Sequence, residues 1–448
     1  MNPQHITLVG AGLVGSLLAI YLARRGYTVT LYEKRPDMRK AAISAGRSIN
    51  LALANRGIRP LEQLGLMAQV REIMLPMKGR MLHDQQGRTQ LVPYGQLPHE
   101  VIYSVSRGEL NQLLMTTAEM TGKARIVFGT GIEAVDFSRK QIRLKDQTTA
   151  ATHDEPFELL IGADGGGSTV RKAVDVFHGQ SSTEDKLFHS YKELSIAGGA
   201  DGSFRLDKEA LHIWPRGDFM MIGLPNKDGS FTMTLFAPDQ GEVSFAALHD
   251  KTHFDAFFQK NFADALALMP DAAETYFRNP TGFLGTVHCP NWFVQDKALL
   301  IGDAAHAIVP FHGQGMNCGF EDCFDLNRLL DAHNDNWSQV FTVYEAARKP
   351  NAEAIALMAQ ENYLEMRATV RDPKFQLKKT VGFELEKRWP EQFSPRYSMV
   401  MFQHLPYAEA LRRGRINEEI LDALCATIDQ PAQLDLHLAE SMVNQNFN

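Results

Sequence analysis

The chain has 448 residues, of which 44% are hydrophobic and 22% charged, with a net charge of -7. This is ordinary globular usage, long enough for a large core and about three domain-sized units. The acidic balance excludes the basic footprint of a nucleic-acid binder. The four cysteines, Cys289, Cys318, Cys323 and Cys425, form neither a CxxC pair nor a Cys/His set with zinc spacing, so free thiols in a reducing, cytoplasmic setting and no metal site are expected. The opening MNPQHITLVGAG has no basic n-region. The longest apolar run, Ala11 to Ala23, is broken by Gly12, Gly15 and Ser16 and is too short to cross a bilayer, so neither a signal peptide nor a membrane anchor is expected.

The first 35 residues read as strand, helix, strand. Ile6 to Val9 is a short apolar run, a helix follows over about Leu13 to Arg25, and Thr28 to Glu33 is a second strand. Gly26 stands where a helix C-terminus takes a left-handed residue. This is a βαβ unit with a parallel sheet. Phe157 to Gly162 and Lys297 to Gly302 read as further short buried strands, the second followed by a helix carrying Phe320, Cys323, Phe324, Leu329 and Leu330. Residues 211–237 differ: ALHIWPRGDFMMIGLP, the turn Asn226-Lys227-Asp228-Gly229, then SFTMTLFAP. In the second run Phe231, Met233 and Leu235 face one way and Thr232, Thr234 and Phe236 the other, which predicts a hairpin in an antiparallel sheet. The last hundred residues carry helical periodicity. The predicted fold class is α/β: a Rossmann-like nucleotide-binding domain, a second domain with an antiparallel sheet, and a helical C-terminal region.

Gly10-Ala11-Gly12-Leu13-Val14-Gly15 directly follows the first strand and opens the helix. In such a turn the first glycine permits the tight bend, the second lets a pyrophosphate approach the backbone, and the third lets helix and strand pack closely. The helix start offers free N–H groups to phosphate. Glu33 ends the next strand, 18 residues after Gly15, near the spacing of an acid that accepts ribose hydroxyls. Two later motifs favour a flavin. LLIGADGGGSTVR (159–171) sets Asp164 at the end of a buried strand in a glycine-rich turn. ALLIGDAAHAIVPFHGQGMN (298–317) does the same for Asp303, then runs through Pro310 and Gly313-Gln314-Gly315 into a helix. Taken singly, either aspartate is a loop or capping residue. Together with the fingerprint, they suit ribitol or ribose hydroxyls beside a helix N-terminus that can stabilise charge on a flavin ring.

These three motifs, in this order and across most of the chain, resemble the para-hydroxybenzoate hydroxylase-like flavin monooxygenases. RSINLALANRG (47–57), GRM (79–81), PYG (93–95), YKEL (191–194), LHIWPRGDFMMIGLPN (211–226), FTMTLF (231–236), PFHGQGMN (310–317), ENYLEM (361–366) and PRYSMVMF (395–402) are similar, more narrowly, to the kynurenine 3-monooxygenase family. Members in animals and fungi carry a C-terminal membrane anchor; the polar VNQNFN here departs from them and looks like a bacterial form.

The resemblance implies non-covalent FAD, with NADPH as co-substrate docking without a Rossmann domain of its own. It implies hydroxylation of L-kynurenine to 3-hydroxy-L-kynurenine by O2 through a C4a-hydroperoxyflavin, a step of tryptophan degradation, by a monomer or homodimer. A related flavin hydroxylase acting on another aminoaryl or phenolic substrate is the alternative. By motif match, the cofactor falls to Gly10, Gly12, Gly15, Glu33, Arg107, Asp164, Asp303, Gly315, Met316 and Asn317. The substrate carboxylate falls to Arg80, Tyr94, Asn362 and Tyr397; its ring to Ile222, Leu224, Thr234 and Phe236, with Phe311 and His312 beside the flavin. No acid–base residue is assigned, because an aniline activates its own ring. From the residues alone, Arg80 reads as a surface arginine and Tyr94 as a loop aromatic. Asn362 interrupts the apolar stripe Ile355, Ala359 and Met366, so it either holds a polar ligand or bonds internally. The expected division is 1–75, 100–180 and 285–345 for FAD, 76–99 and 181–284 for substrate, and 346–448 as helices closing the pocket.

Overall fold

The structure, a computed structural model, describes residues 3–40, 50–367 and 372–447. Arg47, Ser48 and Ile49 of the RSINLALANRG segment lie outside them. The chain divides into two compact units: Met1–Met74, Ser104–Leu187 and Phe283–Ala356 form unit 1, and Leu75–Tyr103, Phe188–Gly282 and Leu357–Asn448 form unit 2. The elements used below are, in chain order, β1 (His5–Val9), α1 (Leu13–Arg24), β2 (Thr28–Glu33), β3 (Gly79–His83), β4 (Thr89–Pro93), α2 (Arg107–Met120), β5 (Ala124–Phe128), β6 (Leu159–Gly162), α3 (Thr169–His178) and β7 (Thr183–Ile196). They continue with β8 (Ala210–Pro215), β9 (Met220–Pro225), β10 (Phe231–Pro238), β11 (Phe293–Val294), β12 (Ala298–Leu300), α4 (Asp303–His306), α5 (Gly315–Ala332), α6 (Trp337–Arg367), α7 (Pro373–Arg388), α8 (Arg396–Met401), α9 (Tyr407–Cys425) and α10 (Leu436–Phe447).

Unit 1 is built on a six-stranded sheet in the order β11-β12-β6-β1-β2-β5. Every pair is parallel except β11 with β12 at the edge. Such a sheet is covered on both faces, which is why its central strands read as unbroken apolar runs. Leu8 of β1 pairs with Leu31 on one side and Ile161 on the other, and all three are fully buried. Helix α1 is buried from Gly15 to Ala23 on every face. The predicted strand–helix–strand opening is observed, and Gly26 ends it at φ +103.

In unit 2, six strands of one sheet run in the order β7-β10-β9-β8-β3-β4. The expected hairpin is β9–β10, with Ile222 opposite Thr234 and Asn226–Ser230 closing the turn. The stretch before it is not one strand: a second turn divides it into β8 and β9, with the Arg216 N–H donating to the Phe219 carbonyl and Gly217 at φ +85. The Pro-Arg-Gly-Asp sequence at 215–218 is a turn signal that the apolar run around it concealed. The sheet is also not wholly antiparallel, since β3 runs parallel to β8. Phe231, Met233 and Leu235 do share one face, in a core with Trp214, Phe254, Phe258 and Phe262.

The C-terminal stretch is helical, as its periodicity predicts. Leu377, Val381 and Leu385 of α7, Ile420 and Leu424 of α9, and Val443 of α10 form its core. Among the described residues, no helix is long and apolar enough to cross a membrane.

Candidate active site

In unit 1 the chain passes from β1 to α1 with backbone against backbone. Gly10 has φ +94, and a Cβ there would lie 2.5 Å from the Ala163 carbonyl oxygen, so the turn needs glycine. A Cβ on Gly15 would lie 2.0 Å from the Gly10 carbonyl oxygen. Gly12 has nothing within 4 Å of where its Cβ would be, and it caps α1 without a side-chain bond. The first-turn N–H groups of α1 are therefore left to an anion that can approach the bare backbone.

Glu33 is 4% exposed at the end of β2. Its Oε2 accepts the Ala11 N–H at 3.0 Å, which ties the strand end to the glycine turn. Arg35, unnoticed in the sequence, donates to Oε1 through its backbone N–H and Nε, both at 2.9 Å, and to Oε2 through Nη2 at 3.2 Å. Burial would raise the Glu33 pKa, but these donors outweigh it and hold the carboxyl below the ordinary range.

The two aspartates behave differently. Asp164 turns inward: its carboxylate accepts the Ser168 hydroxyl at 2.5 Å and the Thr169 and Val170 N–H groups at 2.7 and 3.4 Å, capping α3. Burial pushes its pKa up against those bonds. Asp303 is exposed at the start of α4 and has no hydrogen bond or ion pair among the described residues. Arg107, at the start of α2, is likewise exposed and unpaired among them.

Gly315, Met316 and Asn317 form the first turn of α5, which has no side-chain cap, and nothing lies within 4 Å of a Cβ at Gly315. The Asn317 amide is occupied. It donates to the Ala52 and Gly313 carbonyls, both at 2.8 Å, and accepts the Ala54 N–H at 2.9 Å. Phe311 and His312 are buried in the turn just before this helix, in unit 1.

The remaining predicted residues are in unit 2. Those in the sheet, Arg80, Ile222, Leu224, Thr234 and Phe236, share one face by register, because residues paired across strands share a face. Arg80 pairs with Leu211, Ile213 with Ile222, and Ile222 with Thr234. Alternation then adds Leu224 and Phe236 to the face that carries Arg80, opposite the Phe231 core.

Arg80 is 6% exposed, and its Nη1 donates to Glu365 at 2.9 Å and its Nη2 to the Asn362 Oδ1 at 3.3 Å. Its guanidinium lies 5.0 Å from the Tyr397 ring centroid and 5.9 Å from that of Tyr94. The two tyrosines stack at 5.3 Å with 10° between their planes. The Tyr94 hydroxyl is buried without a hydrogen-bond partner among the described residues. Burial holds both phenols in their protonated form, Tyr397 at about 12 and Tyr94 well above its ordinary value.

Two members of this cluster were missed in the sequence. Glu365 lies one helical turn after Asn362, so the period that exposed the amide also pointed to the carboxylate. Lys379 of α7 donates to the Pro93 carbonyl at 3.3 Å, next to Tyr94, and burial together with the Arg80 charge lowers its pKa to about 8. Nothing in the sequence distinguished it from a surface lysine. Near neutral pH the cluster thus holds two cations against one carboxylate. An excess positive charge that is only partly exposed to water is costly alone, and it suits a ligand that brings its own carboxylate.

Residues 4–206 and 286–359 match the FAD binding domain family, which covers most of unit 1. The chain is 48% identical over 442 residues to kynurenine 3-monooxygenase of Myxococcus xanthus, spanning 99% of this chain and 95% of that one. It is 47% identical over 442 residues to the enzyme of the same name from Stenotrophomonas maltophilia, spanning 98% and 96%. The chain belongs to the kynurenine 3-monooxygenases. Among solved structures, the tetrameric form of 2-methyl-3-hydroxypyridine-5-carboxylic acid oxygenase matches with a TM-score of 0.66 at 20% identity, over 86% of this chain and 98% of that one. PqsL of Pseudomonas aeruginosa matches at 0.65 and 20%, over 81% and 97%. At that identity these two establish the fold.

In the FAD binding domain of this kynurenine 3-monooxygenase family member, the α1 start beside the open Gly12 and the α5 start lack a side-chain cap, and the Asp303 carboxylate has no hydrogen bond or ion pair among the described residues. Because Asp164 caps α3, Asp164→Ala should cost about 0.5–2 kcal/mol of apoprotein stability. Its effect on FAD affinity should be smaller than that of Asp303→Ala. Thermal melts of the flavin-free chain and FAD titration by fluorescence check both. The reverse order would make Asp164 the cofactor's ligand.

Proposed function

We propose that this chain hydroxylates L-kynurenine at ring position 3, using FAD, NADPH and O2, and that the Arg80 cluster is where the substrate's amino-acid end is held. What supports the placement is the buried Arg80 beside two stacked tyrosines, with the partly exposed Lys379 near it and a Tyr94 hydroxyl that has no hydrogen-bond partner among the described residues, at one edge of a largely apolar sheet face. Two strand spacings separate Arg80 from Ile222 and three separate it from Thr234, about 10 and 14 Å. That leaves room for an aryl group on a short amino-acid tail.

When bound, FAD accepts hydride from NADPH and activates O2. Gly10, Gly12 and Gly15 with the α1 N-terminus take its pyrophosphate, Glu33 a ribose diol in place of the Arg35 contacts, and Asp303, Arg107 and the Gly315–Asn317 turn the remainder. Segments 1–75, 100–180 and 285–345 serve the flavin on this reading. Segments 76–99 and 181–284 serve the arene, and 346–448 closes over it. The Arg80 fork, Lys379 and the Tyr94 and Tyr397 hydroxyls hold the substrate carboxylate, and Glu365 is the anion available to the neighbouring ammonium. Ile222, Leu224, Thr234 and Phe236 orient the ring, and Phe311 and His312 of unit 1 are assigned to the flavin by the motif alone. The aniline nitrogen activates its own ring, so no side chain has to remove a proton first. The work of these residues is orientation and exclusion of water. The free, buried thiols suit a reducing, cytoplasmic compartment.

Arg80→Ala should weaken kynurenine binding by roughly tenfold to more than a hundredfold, the equivalent of losing about 1.5–3 kcal/mol from a charged hydrogen bond. Arg80→Lys should recover part of this, since a point charge cannot form the fork. Arg80→Ala should also lower the 3-hydroxykynurenine formed per NADPH oxidised, because a loosely held ring is misplaced. Binding is read from the flavin spectrum. Wild-type affinity and coupling in Arg80→Ala would put the substrate elsewhere.

A pH dependence follows from Lys379. Facing it are Arg80 from β3, Glu365 from α6, the Pro93 carbonyl and, on its own helix, the Phe383 ring at 5.6 Å. The Tyr94 and Tyr397 phenols stay protonated throughout this range. The Lys379 charge is present below its pKa and lost as pH rises through about 8. Kynurenine affinity should therefore fall about threefold to tenfold between about pH 7 and pH 9, less than a fully buried charged contact would give. Lys379→Met should flatten the profile; an unchanged slope in that variant would assign the titration to another group.

A further inference from the structure

We infer that Asp322, locked by Arg348, is a positioning residue for the cofactor: it clamps both ends of α4 and so fixes where Asp303 stands. This rests on Asp303 being a flavin contact.

Helix α4 is a single turn of four residues, Asp303–His306. One turn has too few hydrogen bonds to hold itself in water. Its own bonds are those from Ala305 and His306 to the Gly302 carbonyl, at 2.9 and 3.0 Å. Its rigidity has to come from outside, and Asp322, on the third turn of α5 and 0% exposed, supplies it. The Asp322 Oδ2 accepts the Gly302 N–H at 3.1 Å and faces the His306 Nε2 at 2.6 Å. Gly302 immediately precedes Asp303 and His306 is the last residue of α4, so one carboxylate oxygen grips both ends. The other, Oδ1, accepts from the Arg348 Nε at 2.7 Å.

Arg348 cannot swing away. Its Nη1 donates to Glu321 at 2.7 Å and Asp325 at 3.1 Å, and its Nη2 to the Cys318 carbonyl at 3.2 Å. Arg56 holds the other oxygen of Glu321 at 2.8 Å. His306, Cys318 and Asp322 are metal-ligand types lying close together. The Arg348 guanidinium, bonded to Asp322 and 3.4 Å from the Cys318 Sγ, supplies the positive charge there instead. Burial would raise the Asp322 pKa, but His306 and Arg348 outweigh it and hold it at about 2, so the clamp stays charged across the working range. The clamped turn is also fitted against the fingerprint helix: a Cβ at Gly302 would lie 3.1 Å from the Val14 side chain.

The test is a double-mutant cycle on the full-length chain, stripped of flavin and titrated with FAD by fluorescence. Asp303→Ala, Asp322→Asn and the double variant are compared, with apoprotein melts alongside. Both single variants should weaken FAD by tenfold or more. The double should be no weaker than the worse single, because Asp322 acts through Asp303. Arg348→Lys should show the same non-additivity to a smaller degree, since lysine cannot bridge the same acceptors. If the two losses multiply, or if Asp322→Asn lowers the melt but leaves FAD affinity intact, Asp322 is a stability residue and the inference fails. If Asp303→Ala alone leaves FAD binding unchanged, the reading of Asp303 fails first and the inference falls with it. Should Asp322→Asn not fold, His306→Gln, which loosens one end of the clamp, takes its place in the cycle under the same criteria.

Discussion

Backbone packed directly on backbone around the start of α1 is the constraint on which unit 1 depends. The Gly10 turn lies against Ala163 at the end of β6, and Gly15 lies against the Gly10 carbonyl. Gly302, past the end of β12, and Gly319 of α5 both close onto Val14, where added Cβ atoms would approach to 3.1 and 2.6 Å. Three stretches of chain, far apart in sequence, meet there because glycine stands at each close approach: Gly10 and Gly15 against backbone, Gly302 and Gly319 against the Val14 side chain. That packing leaves Gly12 open and the α1 N-terminus uncapped, and it brings the Asp303 turn to the same place. One methyl group at Gly10 or Gly15 would collide with backbone atoms that cannot move aside.

Unit 2 follows a different logic. Its site is a charge problem: Arg80 and Lys379 lie beside Glu365, stacked phenols and an apolar sheet face. The sheet register joins Arg80 to the face that carries Ile222, Leu224, Thr234 and Phe236. Isolated, Arg80 reads as one more surface arginine. Paired with Leu211, and through Ile213 and Ile222 with Thr234, it becomes one end of a continuous surface.

This contrast explains what was legible in the sequence. The flavin fingerprint could be read directly, since glycine requirements are local and each of Gly10, Gly12 and Gly15 has the geometry its position predicts. The βαβ opening, the β9–β10 hairpin and the helical C-terminus were legible for the same reason: each follows from short-range periodicity or turn chemistry. The break at Pro215–Asp218 was hidden by apolar residues on both sides. The parallel β3–β8 pair could not be read, because strands about 130 positions apart carry no pairing signal of their own. Asp164 stands where the motif places it, and its carboxylate also accepts the Thr169 and Val170 N–H groups at the start of α3, whose N-cap is Ser168, a local bond that the motif does not announce. Lys379, Asp322 and Arg348 act through partners that only the fold brings near, and Glu365 was visible only once the Asn362 stripe was followed one more turn.

The central claim is that NADPH oxidation is coupled to transfer of one oxygen atom of O2 into the arene ring, the other leaving as water, because unit 2 holds kynurenine by its amino-acid end. The most direct measurement is a single turnover: reduction of the FAD-loaded chain by limiting NADPH without oxygen in the presence of kynurenine, then admission of O2 and quantitation of the products. The account predicts as much 3-hydroxykynurenine as NADPH oxidised. Reoxidation of the flavin with hydrogen peroxide released and kynurenine recovered unchanged would contradict it.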